Sequence, residues 1–163
     1  MNTQFLTSLA QACVMAAFGA VLAFGAGHDV NVTTGMTGAK APLAAHGYDP
    51  VAFFTQNRPV LGKAAHSAVH NGAAYRFASA ANKAKFEANP SAYAPQFGGY
   101  CAYGVSVGAK FDGDPRLFKV VGGKLYFNLN PDIQSTWLKD VPGNIRKADS
   151  QWKKIRDVSP LDL

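Results

Sequence analysis

Ser67-Ala68-Val69-His70-Asn71-Gly72-Ala73-Ala74-Tyr75-Arg76-Phe77-Ala78-Ser79 carries a strand pair and a helix start in one short run. Asn71-Gly72 supplies the two positive-φ residues that a type I′ turn needs, and the twist of that turn suits antiparallel strands. Tyr75 and Phe77 then share one strand face, and Arg76 points the opposite way, to solvent or to a charged partner. Ser79 stands at an N-cap position, so a helix is predicted over Ala80 to Ala88 with Phe86 as its apolar anchor. Asn89-Pro90 ends that helix and opens another helical turn through Tyr93.

Working outward, Asp49-Pro50-Val51-Ala52-Phe53-Phe54 has the form of a cap, a proline at the first helical position and an apolar run, which predicts a short helix. Downstream, Gly98 to Gly108 fits two periods. Tyr100, Ala102 and Gly104 alternate as in a strand, while Tyr100, Tyr103 and Val107 fit a helix, and the helix is preferred. A second hairpin is predicted from Leu117 to Val121 and Lys124 to Asn128 around Gly122-Gly123. Asn130-Pro131 opens a helix through Trp137 and Lys139. Pro142-Gly143 is expected to break it, and a last helix from Asn144 carries Ile145, Ala148, Trp152 and Ile155. Two hairpins interleaved with several short helices predict an α+β domain. No internal repeat and no low-complexity segment is legible.

The chain has 163 residues. From Phe5 to Ala26 it has no charged side chain, and its apolar core ends in small residues, which is the pattern of an export signal. The departure from that pattern is an n-region without Lys or Arg. The segment is short for the roughly 20 residues of a spanning helix, so no stable membrane span is expected after processing. The domain organisation expected is a signal peptide over 1–25, a flexible leader rich in Gly and Thr over 26–42, one domain over 43–157 and a tail over 158–163. Localisation would be periplasmic or secreted, with Cys13 discarded. The net charge is +6 and the pI about 9.4. A basic balance favours anionic partners, but the cations are scattered and form no block, so no nucleic-acid partner is expected.

The run Gly47-Tyr48-Asp49-Pro50-Val51-Ala52-Phe53-Phe54 is followed by Tyr75-Arg76-Phe77-Ala78-Ser79, Phe86 and Asn89-Pro90. After these comes Tyr93-Ala94-Pro95-Gln96-Phe97-Gly98-Gly99-Tyr100-Cys101-Ala102. Together these motifs resemble exported bacterial YHS-domain proteins over roughly residues 43 to 155. The resemblance implies a small treble-clef-like YHS domain and, from the wider group of metal-sensing modules, a metal-binding function. Metal-binding members place one cysteine after the Asp-Pro-Val stretch and two more around the hairpin-to-helix junction. This chain has Ala52, Ala78 and Asn82 there, so the soft thiolate ligands that favour zinc or copper are missing from those places.

Cys101 is the remaining chemical handle, as a metal ligand, a reactive thiol or a small buried hydrophobe. A helix starting at Gly98-Gly99 would lower its pKa through the unpaired N–H groups at the helix start. His46 is the candidate co-ligand, with a third donor from Tyr48, Asp49, Tyr100 or an outside exported partner. Asp49 has its cap role as the plainer alternative. Tyr103 joins these tyrosines as a candidate for lining a ligand pocket, with core packing as the alternative. His66 and His70 lie too far apart along a strand to chelate together, and His70 is read as an exposed residue flanking the turn. Cleavage after Gly25 would expose Ala26-Gly27-His28, whose amine, peptide nitrogens and imidazole can hold Cu²⁺ or Ni²⁺ in a square plane, making His28 a further candidate. Asp112 and Asp114 lie in a loop that lacks the calcium-loop pattern. No catalytic triad, phosphate loop or dinucleotide fingerprint is present.

The expected function is therefore an exported, non-enzymatic YHS-domain binding protein for copper or zinc, through Cys101 and His46. The alternatives are a thiol-dependent redox enzyme or sensor using Cys101, or a non-catalytic accessory domain.

Overall fold

The computed structural model describes residues 27–33 and 35–163. The expected signal segment, with Cys13 and Ala26, lies outside the described residues. Among the described residues the fold is mixed α+β, with two antiparallel hairpins and six α-helices. In chain order the elements are α1 (Pro50–Thr55), β1 (Lys63–His70), β2 (Ala73–Phe77), α2 (Ala80–Ala88), α3 (Pro90–Tyr93), α4 (Ala102–Ser106), β3 (Asp114–Val121), β4 (Lys124–Asn128), α5 (Pro131–Leu138) and α6 (Val141–Ile155). β1 pairs only with β2 and β3 only with β4. No helix among the described residues is long and apolar enough to cross a membrane.

The local signals act as their chemistry dictates. Asn71 and Gly72 take φ of 48° and 72°, and Gly122 and Gly123 take 57° and 72°, so each hairpin closes through two left-handed residues. Ser79 Oγ accepts from Asn82 N–H at the start of α2, and Asn130 Oδ1 accepts from Ile133 N–H at the start of α5. The ambiguous stretch after Gly98 forms the helix α4. Pro142-Gly143 is a correction: it lies inside the first turn of α6, not in a break before it. Asp140 Oδ1 caps that helix by accepting from Gly143 N–H at 2.9 Å, and a proline in the first turn removes only a donor that would have had no partner.

The chain follows one path twice, although its sequence shows no repeat. Ala45, His46 and Gly47 take φ of 48°, 50° and 78° in a 3-10 turn, and Phe97, Gly98 and Gly99 take 53°, 62° and 86° in another. Asp49 then caps α1 and Cys101 caps α4. Their own amides donate to matching carbonyls, Asp49 N–H to Val60 and Cys101 N–H to Phe111, at 2.8 and 2.9 Å. Each hairpin then shifts register at the same place, between Lys63 and Ser67 and between Asp114 and Phe118. Just before each shift stands a glycine without room for a Cβ: Gly62 lies against the Arg76 backbone, and Gly113 against Gly99 and Phe127. Phe86 on α2 and Trp137 on α5 occupy equivalent core places, 1% and 0% exposed. Asn89 and Asp140 precede the closing helices α3 and α6.

Each half encloses its own core. Val51, Tyr75, Phe77 and Phe86 fill the first, and Tyr100, Val105, Tyr126, Trp137 and Ile155 fill the second. A seam joins the two, where Phe53 of the first half meets Phe118 and Phe127 of the second at centroid distances of 4.8 and 5.5 Å. Each such buried ring contributes about 1.5–3 kcal/mol through removal from water. The halves therefore share one hydrophobic body.

The segment read from sequence as a leader is fastened to this body. Val30 is buried in the first core, Asn31 N–H donates to the Gly98 carbonyl at 3.0 Å, and Thr33 N–H to Leu43 at 2.9 Å. Lys110 joins both ends of the domain. Its Nζ donates to the carbonyls of His28, Arg156 and Val158 at 2.6, 2.7 and 2.7 Å, which uses all three protons of the ammonium. It also lies 5.3 Å from the Tyr100 and Trp152 ring centroids. Burial pulls its pKa down against the opposing pull of Asp157 and Asp29. His70 is a second correction, because it is half-buried and not free at the turn. It sits edge-on to Phe86 at 5.8 Å.

Candidate functional site

Asp49 sits in a closed cradle. Its carboxylate is 0% exposed and receives four donors. Val51 and Ala52 N–H reach Oδ1 at 2.9 and 3.4 Å, and Ala78 N–H and the Asn82 side-chain amide reach Oδ2 at 2.8 and 2.7 Å. Ala52, Ala78 and Asn82 are the positions that hold cysteines in the metal-binding proteins this chain resembles. Here they surround a hydrogen-bonded carboxylate. Asp49 is thus a cap and a tie between α1 and the β2–α2 junction, with its lone pairs already taken.

Cys101 occupies the equivalent place in the second half. It is 1% exposed and is the one free cysteine among the described residues. Gly104 N–H donates to Sγ at 3.4 Å, as Ala52 N–H donates to Asp49. The backbone amides of Leu129, the residue just before the Asn130 cap, and of Tyr103 also act on the sulfur, each lowering its pKa. The thiol proton points to Asn128 Oδ1 at 3.9 Å. Burial pushes the thiol pKa up, the three amides pull it back in part, and Asp112 adds a smaller upward push. The helix-start argument from sequence anticipated the amides, but burial outweighs them and the group is a protonated thiol at neutral pH.

The two cradles differ in their lids. Above Cys101 lies a pocket of about 240 Å³ walled by Tyr103, Gly104, Val107, Phe111, Leu129 and Ile133. Gly104, Leu129 and Ile133 are the counterparts of Ala52, Ala78 and Asn82. Val107, Phe111 and Leu129 are 60%, 50% and 36% exposed, so this apolar mouth opens to solvent. Asn128, 0% exposed, lies beside the sulfur with its Nδ2 unpartnered. Trp137 Nε1, inside the second core, is the other buried polar atom without a partner among the described residues.

The remaining candidates separate. His46 does not join Cys101: its Nε2 lies 2.8 Å from Asp112 Oδ1, an oxygen that also accepts from Asn31 Nδ2 at 2.7 Å. Its side chain is 38% exposed. Tyr48 is half-buried against the seam. The Tyr100 hydroxyl donates to the Val30 carbonyl at 3.4 Å, while its ring packs in the second core. His28 borders a second pocket of about 340 Å³ with Asn31, Tyr100, Lys110 and Asp112. Asp114 pairs with Arg116 at 2.6 Å, not with Asp112. Among the described residues no group of three or more His, Cys, Asp and Glu is placed to hold a metal ion. Sequence reasoning missed Asn128 and set Asp112 aside as part of a turn. The signal for Asn128 was its polarity at a strand end that follows the apolar Leu125-Tyr126-Phe127. Protein-family models, curated protein sequences and solved structures offer no match to this chain.

Proposed function

We propose that this chain is an exported YHS-type, treble-clef-like binding domain, without enzymatic activity, whose binding centre is the pocket over Cys101. One observation carries the reading: the one free thiol among the described residues forms the floor of an open apolar pocket, where the matching place in the first half is a closed carboxylate cradle. Its ligand is a thiophilic species. Copper as Cu⁺ is the first candidate and zinc the second, since soft thiolates favour both. Cys101 supplies one ligand and the remaining donors come from an exported partner or a small molecule. His46 does not complete the set, because its Nε2 is engaged by Asp112.

The test is metal analysis of the exported protein after loading with Cu⁺ or Zn²⁺ under reducing conditions, beside Cys101→Ser and His46→Ala. About one ion per chain, lost in Cys101→Ser and kept in His46→Ala, is the expected result. Equal stoichiometry in the parent and Cys101→Ser overturns the metal assignment. A second reading, a redox sensor using Cys101, is favoured by the access that the pocket gives to the sulfur.

A further inference from the structure

A further cavity lies where the segment from His28 to Asn31 crosses the body, and it shares no wall residue with the pocket over Cys101. Its volume is about 220 Å³, and its walls include Asp29, His70, Tyr75, Trp152 and Arg156. The crossing segment is held on both sides of Asp29. Lys110 Nζ donates to the His28 carbonyl at 2.6 Å, and Asn31 N–H donates to Gly98 at 3.0 Å. Gly98 itself has no room for a Cβ, because the Asp29 carbonyl lies against it. His70 ends β1 and Tyr75 stands on β2, while Trp152 and Arg156 come from the last turn of α6 and its C-cap. The cavity is therefore built from both halves on fixed backbone.

Its polar groups are unanswered. Tyr75 is 2% exposed and its ring lies 4.9 Å from that of Phe86, yet its hydroxyl has no hydrogen-bond partner among the described residues. Buried polar groups are ordinarily paired. Burial raises the phenol pKa and Asp29 adds a smaller upward push, which puts the phenolic oxygen within range of that carboxylate. Asp29 is half-buried, and its carboxylate has neither an ion pair nor a hydrogen bond among the described residues. At the exposed rim Arg156 gives Nε to Asp157 at 3.2 Å and leaves its two Nη groups without partners among the described residues. A carboxylate and a guanidinium thus border one small cavity without pairing with each other. A cation alone would meet Arg156, and an anion alone would meet Asp29.

We propose that this cavity binds a small zwitterion of the class of a free amino acid. The ammonium donates to the Asp29 carboxylate and to the Tyr75 oxygen, beside the Tyr75 and Trp152 rings that attract a cation. The carboxylate of the ligand takes the Arg156 Nη groups as a forked pair. The side chain of the ligand is short, because the cavity is smaller than the roughly 300–1,000 Å³ of pockets for drug-sized molecules. This site stands apart from any chemistry at Cys101.

The test is titration of the ¹⁵N-labelled protein with each protein amino acid in turn, read at the indole N–H resonances. The chain has two tryptophans. Trp152 borders the cavity and Trp137 is sealed in the second core, so one reports binding and the other an intact fold. A small amino acid should shift the Trp152 resonance with saturation at a dissociation constant below about 1 mM. Asp29→Asn and Arg156→Gln should each weaken it about tenfold or more, as expected for loss of a charge-assisted pair. Tyr75→Phe, which removes only the unpartnered hydroxyl, should weaken it severalfold with Trp137 unmoved. Ethylamine and propionate, which carry the two charged groups of alanine separately, should not saturate the site. Binding of either one as tightly as alanine overturns the zwitterion assignment. Failure of every amino acid to saturate the Trp152 shift, or binding that Asp29→Asn and Arg156→Gln leave unchanged, overturns the site.

Discussion

The two halves of this molecule are built alike around one difference, a carboxylate at Asp49 and a thiol at Cys101. In the first half four donors and two oxygens match, the cradle is closed, and the group is structural. In the second half Gly104 N–H still donates, the acceptor is a single neutral sulfur, Ile133 takes the place of the Asn82 amide, Asn128 Nδ2 is left without a partner, and the lid is a pocket. A backbone scaffold can therefore be kept while its occupant decides whether it serves stability or chemistry. The most severe way to break the comparison is Asp49→Ala. It removes the acceptor of a buried side-chain amide and of three backbone amides, at a cost of about 3–5 kcal/mol. Chemical denaturation should register that loss, and a value near that of Cys101→Ala would show that the two cradles are not structurally unequal.

The halves also differ at the residue that precedes each cap's acceptor. Pro59 stands before Val60 in the first half, and Lys110 before Phe111 in the second. Only the second half therefore has a cation there, and it ties His28 on one side and Arg156 and Val158 on the other. Lys110→Met keeps the stem against Tyr100 and Trp152 but deprives three carbonyls of their donor. A loss of about 2–4 kcal/mol is expected, with hydrogen exchange accelerated first in residues 28–33 and 156–158. Uniform acceleration over both cores would argue that Lys110 holds the whole body and not its ends.

Much of the fold was legible because it rests on local chemistry. Asn71-Gly72, Ser79, Asn130 and the Asp49-Pro50 pair each state their turn or cap in two or three residues. The repeat was not legible, because what repeats is backbone geometry. Gly47-Tyr48 and Gly99-Tyr100 match as residues. So do Gly62 and Gly113, but His46 stands opposite Gly98, Phe86 opposite Trp137, and Asp49 opposite Cys101, and side-chain chemistry hides the shared φ pattern. The site was half legible. Cys101 stood out as a lone thiol, but its partners are the Gly104 amide and a strand-end asparagine, and a backbone amide leaves no trace in a residue pattern. His46 was paired with Cys101 by residue type. The fold instead gives His46 to Asp112, a residue that spacing assigned to a plain turn.

The thiol cradle has a pH signature of its own. Burial keeps the folded Cys101 protonated above the point, about 8.5, at which an unfolded cysteine ionises. In that alkaline window the folded state binds more protons than the unfolded state, so stability is fully present below it and falls as pH rises through it. The slope is at most about 1.4 kcal/mol per pH unit. Denaturation at stepped pH from 7 to 10 should show this slope in the parent and a flatter profile in Cys101→Ala. Alkylation of the folded protein should likewise be slow at neutral pH and quicken only in the same window. Identical profiles for the two proteins would place the thiol in water and remove the contrast between the cradles.

The mildest difference lies at the hairpin tips, Asn71-Gly72 against Gly122-Gly123. All four residues hold φ between 48° and 72°, the region that glycine enters freely and asparagine enters more readily than other residues with a Cβ. Gly122 has open space where a Cβ would stand. Gly122→Asn therefore copies the first hairpin into the second without a clash, and it narrows the unfolded chain's freedom more than it strains the fold. A gain of about 0.5 kcal/mol is expected, with no change in the Cys101 alkylation rate, since the turn lies at the far end of β4 from Asn128. A loss of stability would mean that the second turn depends on a conformation that asparagine cannot hold there, and that the hairpins are alike in φ but not in their tolerance of a side chain.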